Sequence, residues 1–244
     1  MRPLLAVWSG PRNLSTALMR AFSSRPGTLV WDEPFYAHYL AKTGKQHPMQ
    51  DAILASQPQD EQAVIADLQA PLPEGFTLGY QKQMAHHLLP HMDRDWMEEQ
   101  HHAFLIREPR AMLASLDQKL DQFELEDTGL PQQVELFERF LERDGRPPVV
   151  LDSADLARSP EQALGALCEV AGVPFEPQML TWPAGPHARD GAWGSHWYAN
   201  TWASTGFRAP KDEGPRPLDP ALEPLLERCQ PLYDHLAAHR VRVS

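Results

Sequence analysis

Leu4-Leu5-Ala6-Val7-Trp8, then Ser9-Gly10-Pro11-Arg12-Asn13-Leu14-Ser15-Thr16, then Ala17-Leu18-Met19-Arg20-Ala21-Phe22 is the stretch on which the fold turns. Its first five residues are a continuous apolar run, the pattern of a strand buried on both faces of a parallel sheet. Leu14, Ala17, Leu18, Ala21 and Phe22 recur at i, i+3, i+4, i+7 and i+8, one face of a helix. The segment Ser9–Thr16 therefore joins a strand to a helix N-terminus through a tight turn. Such a junction offers backbone N–H groups and the positive end of a helix dipole to an anion. Arg12 can add a forked contact to oxyanions, and Ser15 and Thr16 can add hydroxyl donors. The same residues also fit a plain connection with Asn13 as N-cap and Arg12 in solvent.

Four further apolar runs read as strands: Thr28–Trp31, Phe76–Tyr80, Ala103–Ile106 and Val149–Leu151. Helical patterns lie between them. Met112, Leu113, Leu116 and Leu120 form one stripe, and Val134, Phe137 and Leu141 another, with Gly145 as its C-cap. Ser159-Pro160-Glu161-Gln162 opens a further helix with an N-cap and a proline at its first position. Alternating strands and helices predict an α/β fold: a three-layer, P-loop-type arrangement with a central parallel sheet of about five strands. A single domain is expected over residues 1–244, with a polar helical cap at 41–73 and a lid-like loop at 182–217. Five aromatics between Trp193 and Phe207 argue that this last loop is ordered.

Bulk composition narrows the classes. The 244 residues suffice for one sizeable core, and the formal net charge of −11 disfavours nucleic acid or an anionic membrane as a partner. The only cysteines, Cys168 and Cys229, form no CxxC, so neither a disulfide framework nor a metal cluster is expected. The first residues run straight into a strand without the basic and apolar regions of a leader, and no apolar run reaches 18 residues. A cytoplasmic protein follows as the expectation.

Against the ATPase pattern G-x-x-x-x-G-K-[ST], Gly10 matches the first glycine, but Ser15, Thr16 and Ala17 stand at the second glycine, the lysine and the magnesium-binding hydroxyl. Moving a γ-phosphoryl group needs the lysine and magnesium to hold dense negative charge. A sulfuryl group carries less charge and tolerates their loss. Pro11-Arg12-Asn13-Leu14-Ser15-Thr16 resembles the 5′-phosphosulfate loop P-[KR]-S-G-T-[ST] of sulfotransferases that use 3′-phosphoadenosine-5′-phosphosulfate, with Asn-Leu replacing Ser-Gly. Arg107-Glu108-Pro109-Arg110, with Ser115 further on, resembles that family's 3′-phosphate segment R-[DE]-P-R-x-x-x-x-S. Val149–Leu156 and Gly172–Phe175 resemble scaffold segments of the same family. The tryptophan that often follows the family loop and stacks on adenine is replaced by Ala17.

The resemblance implies a donor held by Gly10, Pro11, Arg12, Asn13, Leu14, Ser15, Thr16, Arg107 and Ser115, with no metal. It implies Arg12 and Lys82 as stabilisers of charge on the transferring group, and Glu33, in Asp32-Glu33-Pro34, as the base. Asp32 competes for that role, and either acid also fits as a satisfier of helix N-terminal donors. Met84 stands where cytosolic members often carry a catalytic histidine, and His86 and His87 read as structural. Arg110 is expected to hold its loop through Glu108. In the lid, Trp193, Trp197 or Trp202 would stack on a ring, with at least one of them serving as a core plug. The acceptor expected is a small molecule, with neither nucleic acid nor membrane as partner; a homodimer is left open. The alternatives are a kinase-like phosphotransferase and a non-catalytic nucleotide-binding module.

Overall fold

In the computed structural model, described for residues 3–120, 122–209, 214 and 217–243, the five expected strands form one parallel sheet. They are β1 (Leu4–Ser9), β2 (Thr28–Asp32), β3 (Leu78–Met84), β4 (His101–Ile106) and β5 (Val149–Asp152), in the order β2-β3-β1-β4-β5. Between β1 and β2 lies α1 (Ser15–Ser23). Between β2 and β3 come α2 (Tyr36–Thr43), α3 (Gln50–Ser56) and α4 (Glu61–Gln69). Helices α5 (Pro109–Leu116) and α6 (Leu130–Asp144) separate β4 from β5. After β5 follow α7 (Ser153–Arg158), α8 (Pro160–Ala171), the short α9 (Gly194–Trp197) and α10 (Ala199–Trp202), and α11 (Glu223–Ala237).

The apolar strands are explained by what covers them. Along β1, Leu5 and Val7 enter a core shared with α1 and α8, while Ala6 and Trp8 enter one shared with α6 and α11. Both faces are thus buried, which is why these strands do not alternate. Gly145 and Gly172 close α6 and α8 in the left-handed region, at φ 65° and 67°. Both cysteines are buried and free.

Three local readings are corrected. Strand β3 extends four residues past Tyr80, so Gln81, Lys82 and Gln83 lie inside it, each at most 1% exposed. No apolar run marks these residues: Lys82 is held by Asp32, Glu33 and Tyr198, all distant in sequence, while Gln83 Nε2 donates to Gln81 Oε1 beside it. Leu14 leaves the apolar face of α1: it is the N-cap, at φ 66°, and is 40% exposed. The stripe ending at Leu120 also breaks, because α5 stops at Leu116. In the 182–217 segment, Lys211 falls outside the described residues.

Candidate active site

The strand order reverses beside β1, which has β3 on one side and β4 on the other. Open parallel sheets bind ligands outside the carboxyl ends of their strands at such a switch point. The two sequence segments expected to hold the donor leave β1 and β4 there, and they touch. Arg12 Nε donates to Ser115 Oγ at 3.1 Å, and Arg107 Nη1 donates to the Arg12 carbonyl. Asn13 is buried, and its Nδ2 donates to the Leu105 carbonyl at 3.1 Å. It is not the N-cap of α1; Leu14 is. Arg12 and Leu14 both have positive φ, 65° and 66°, so the loop is wound tightly against the helix N-terminus.

A cavity of about 270 Å³ opens at this junction. Pro11, Arg12, Asn13, Leu14, Ser15, Thr16, Arg107 and Ser115 line it, together with Glu33 and Lys82. Gly10 does not line it. A side chain at Gly10 would lie 2.3 Å from the Thr128 carbonyl, so the glycine lets residues 128 and 129 pass against the loop.

Asp32 and Lys82 are register partners on β2 and β3, which puts their side chains in contact. Lys82 Nζ lies 2.8 Å from Asp32 Oδ1, 2.6 Å from Glu33 Oε1 and 2.6 Å from the Tyr198 hydroxyl. An ammonium has three protons, and these three oxygens take them. Tyr198 also accepts from Trp193 Nε1 at 2.7 Å and donates to Asp32 at 2.8 Å. Asp32 further accepts the Gly191 N–H at 2.9 Å and faces a cleft behind the sheet end. Glu33 is the acid that faces the cavity. It follows the strand at φ 46°, a strained value for a residue with a side chain, with its N–H bonded to the Lys82 carbonyl at 2.9 Å.

One cation is thus shared by two buried carboxylates. Burial raises the Glu33 carboxyl above its ordinary value and Asp32 adds to this, while Lys82 opposes it. Burial works against the Lys82 ammonium, but Asp32 and Glu33 outweigh it and raise its pKa. Arg110, expected to hold its loop through Glu108, instead pairs with Glu223 of α11 at 3.0 Å through both nitrogens. Glu108 caps α5, accepting from the Arg110 and Ala111 N–H groups.

The cavity wall also holds residues outside the two sequence motifs. Tyr36, His47, His86, His87, Asp127, Asn200 and Thr201 all line the cavity. His87 stacks on Tyr36 with centroids 4.5 Å apart, and the Tyr36 hydroxyl lies 2.8 Å from His47 Nδ1. Burial pushes His86 down to about 3 and His87 well below its usual value, so both imidazoles are neutral. Tyr36 opens α2, three residues after Glu33, a signal the sequence did contain. Of the three tryptophans expected to share the stacking role, Trp193 is a plug at 1% exposure, Trp202 donates to Asp190 at 2.9 Å, and Trp197 lines the cavity.

A family model described as a sulfotransferase domain matches residues 3–240. Two curated proteins of Arabidopsis thaliana, branched-chain-amino-acid aminotransferase-like proteins 2 and 1, are 34% and 36% identical over 237 and 232 residues. The matches cover 97% and 95% of this chain but 42% and 41% of those proteins, so the chain spans about two fifths of their length. Among solved structures, the sulfotransferase domain of the Synechococcus PCC 7002 olefin synthase superposes with a TM-score of 0.58 at 18% identity, covering 99% of this chain and 95% of that one. A sulfotransferase from Alicyclobacillus acidocaldarius gives 0.56 at 15% identity, covering 99% and 98%. At such identities the likeness concerns the fold.

Proposed function

The chain belongs to the sulfotransferase domain family, and we propose that it transfers a sulfuryl group from 3′-phosphoadenosine-5′-phosphosulfate to a hydroxyl or amine of a small metabolite. One observation carries this reading: the Arg12 loop and the Arg107–Ser115 segment meet at the mouth of a cavity that has a carboxylate in its wall. The residues fit the donor. The N-terminus of α1, Arg12 and the Thr16 hydroxyl suit its 5′ anion, and Arg107 and Ser115 suit its 3′-phosphate. Asn13 Oδ1 is a buried acceptor with no hydrogen-bond partner among the described residues. Trp197 is the lid ring available to stack. The donor supplies an activated sulfuryl group, and this chain supplies orientation and proton transfer.

Glu33, held by Lys82 and Tyr198, takes the proton of the acceptor. As Glu33 becomes neutral, its hold on Lys82 weakens. The ammonium is then released to face the negative charge that develops on the leaving oxygen. Lys82 thus serves first to position the base and then to stabilise charge. The neutral His86, His87 and Tyr36 form an uncharged floor for the acceptor.

Incubating the protein with 35S-labelled donor and a fractionated metabolite pool tests the reading. Labelled product is expected without added metal, with Glu33→Gln slower by about 10²–10⁴-fold. No product from any fraction, together with phosphoryl transfer from ATP and magnesium, would overturn it.

A further inference from the structure

Behind α2, away from the cavity, His38, Glu61 and His91 converge from three elements. One ligand atom from each lies within 4.8 Å of the others. His38 sits in α2 and is 1% exposed; Glu61 is half-buried in the first turn of α4; His91 is exposed on the segment after β3. His38 Nδ1 lies 2.9 Å from the Gln59 carbonyl. A carbonyl can only accept, so Nδ1 carries the proton and the lone pair of the neutral ring is on Nε2. That nitrogen is buried and has no hydrogen-bond partner among the described residues. A metal-binding histidine is commonly oriented this way, by a carbonyl on the nitrogen opposite the ligating one. Glu61 Oε1 accepts the Asp93 N–H at 2.9 Å, which holds the His91 segment against α4 and leaves Oε2 for another partner.

We propose that His38, Glu61 and His91 form a binding site for one divalent cation of the zinc class, clamping α2, α4 and the segment after β3 together. Two imidazole nitrogens and a carboxylate are a normal zinc set, completed by water. At zinc–ligand bonds of about 2.0–2.1 Å, tetrahedral ligand atoms lie about 3.3 Å apart. The atoms present need to close by at most about 1.5 Å from their 4.8 Å limit, which rotation of the exposed His91 and the half-buried Glu61 can supply. The clamp acts at a distance from the chemistry, since the first turn of α2 carries Tyr36 of the cavity wall. It stands whether or not the donor reading does.

Calorimetric titration of the metal-free full chain with Zn²⁺ alone tests this, with thermal stability as a second readout. One Zn²⁺ per chain is expected, with a rise in melting temperature. His91→Ala and Glu61→Gln, chosen because neither side chain is fully buried, should each weaken binding about tenfold or more and remove that rise. The competing imidazoles are the pair His235 and His239 on the α11 side, with rings 6.0 Å apart, and His47 of the cavity. His235→Ala and His47→Ala should bind as the wild type does. No binding, binding that survives both His91→Ala and Glu61→Gln, or binding lost in His235→Ala or His47→Ala overturns the site.

Discussion

Lys82 carries one positive charge between two carboxylates, and its side chain is 1% exposed, with Asp32 at 2% and Glu33 at 10%. Removing the cation would strand both acids, so Lys82→Met should cost about 3–5 kcal/mol in chemical denaturation. The double variant Lys82→Met/Asp32→Asn should recover part of that loss. Glu33 predicts two pH effects. Its carboxyl is raised above 4.5 by burial first, so the folded chain keeps a proton that the unfolded chain has released. Stability should therefore fall as pH rises from the ordinary carboxylate range through the raised value, and Glu33→Gln should flatten that decline. The basic form fills only above the raised value. The acid limb of the kcat/KM profile should thus lie above the usual carboxylate range and disappear in Glu33→Gln.

Among the elements, the first loop is held close by the chain packed against it. Gly10→Ala would push a methyl to 2.3 Å from the Thr128 carbonyl, backbone against side chain with little room to yield. A loss of about 1–3 kcal/mol is expected in urea unfolding. Gly165 makes the contrast: it lies inside α8 with nothing within 4 Å of an added methyl, so Gly165→Ala should gain about 0.5–1 kcal/mol. The sequence does not show what is packed against either glycine; the tertiary contacts do. The tryptophan-rich segment that carries α9 and α10 behaves similarly. Its aromatic density announced order, but the division of work among Trp193, Trp197 and Trp202 depends on Asp190, Tyr198 and the β2 end, all set by tertiary contact. Asp190 itself is fixed by Arg20 of α1 at 2.6 Å, both side chains buried.

Across the whole molecule, the parallel sheet was legible because buried strands are apolar on both faces and the helices between them are amphipathic. The polar end of β3 was not, because Gln81, Lys82 and Gln83 break the apolar pattern and Lys82 is held by partners distant in sequence. Arg12, Arg107 and Ser115 were found from local motifs, and the sheet order brings them together. Tyr198 escaped because it reaches Lys82 across 116 residues. The cation site proposed at His38, Glu61 and His91 escaped for the same reason, having no short spacing to mark it. No helix among the described residues is long and apolar enough to cross a membrane.

The proposed function requires the switch point beside β1 to bind an adenosine carrying phosphate at both ends, and calorimetric titration with 3′,5′-adenosine bisphosphate, ADP and ATP with magnesium decides whether it does. One bisphosphate per chain is expected without added metal, with ADP weaker by about tenfold or more for want of the 3′-phosphate, and that preference erased in Arg107→Ala. Equal affinity for the bisphosphate and ADP, or tighter binding of ATP with magnesium, would contradict it.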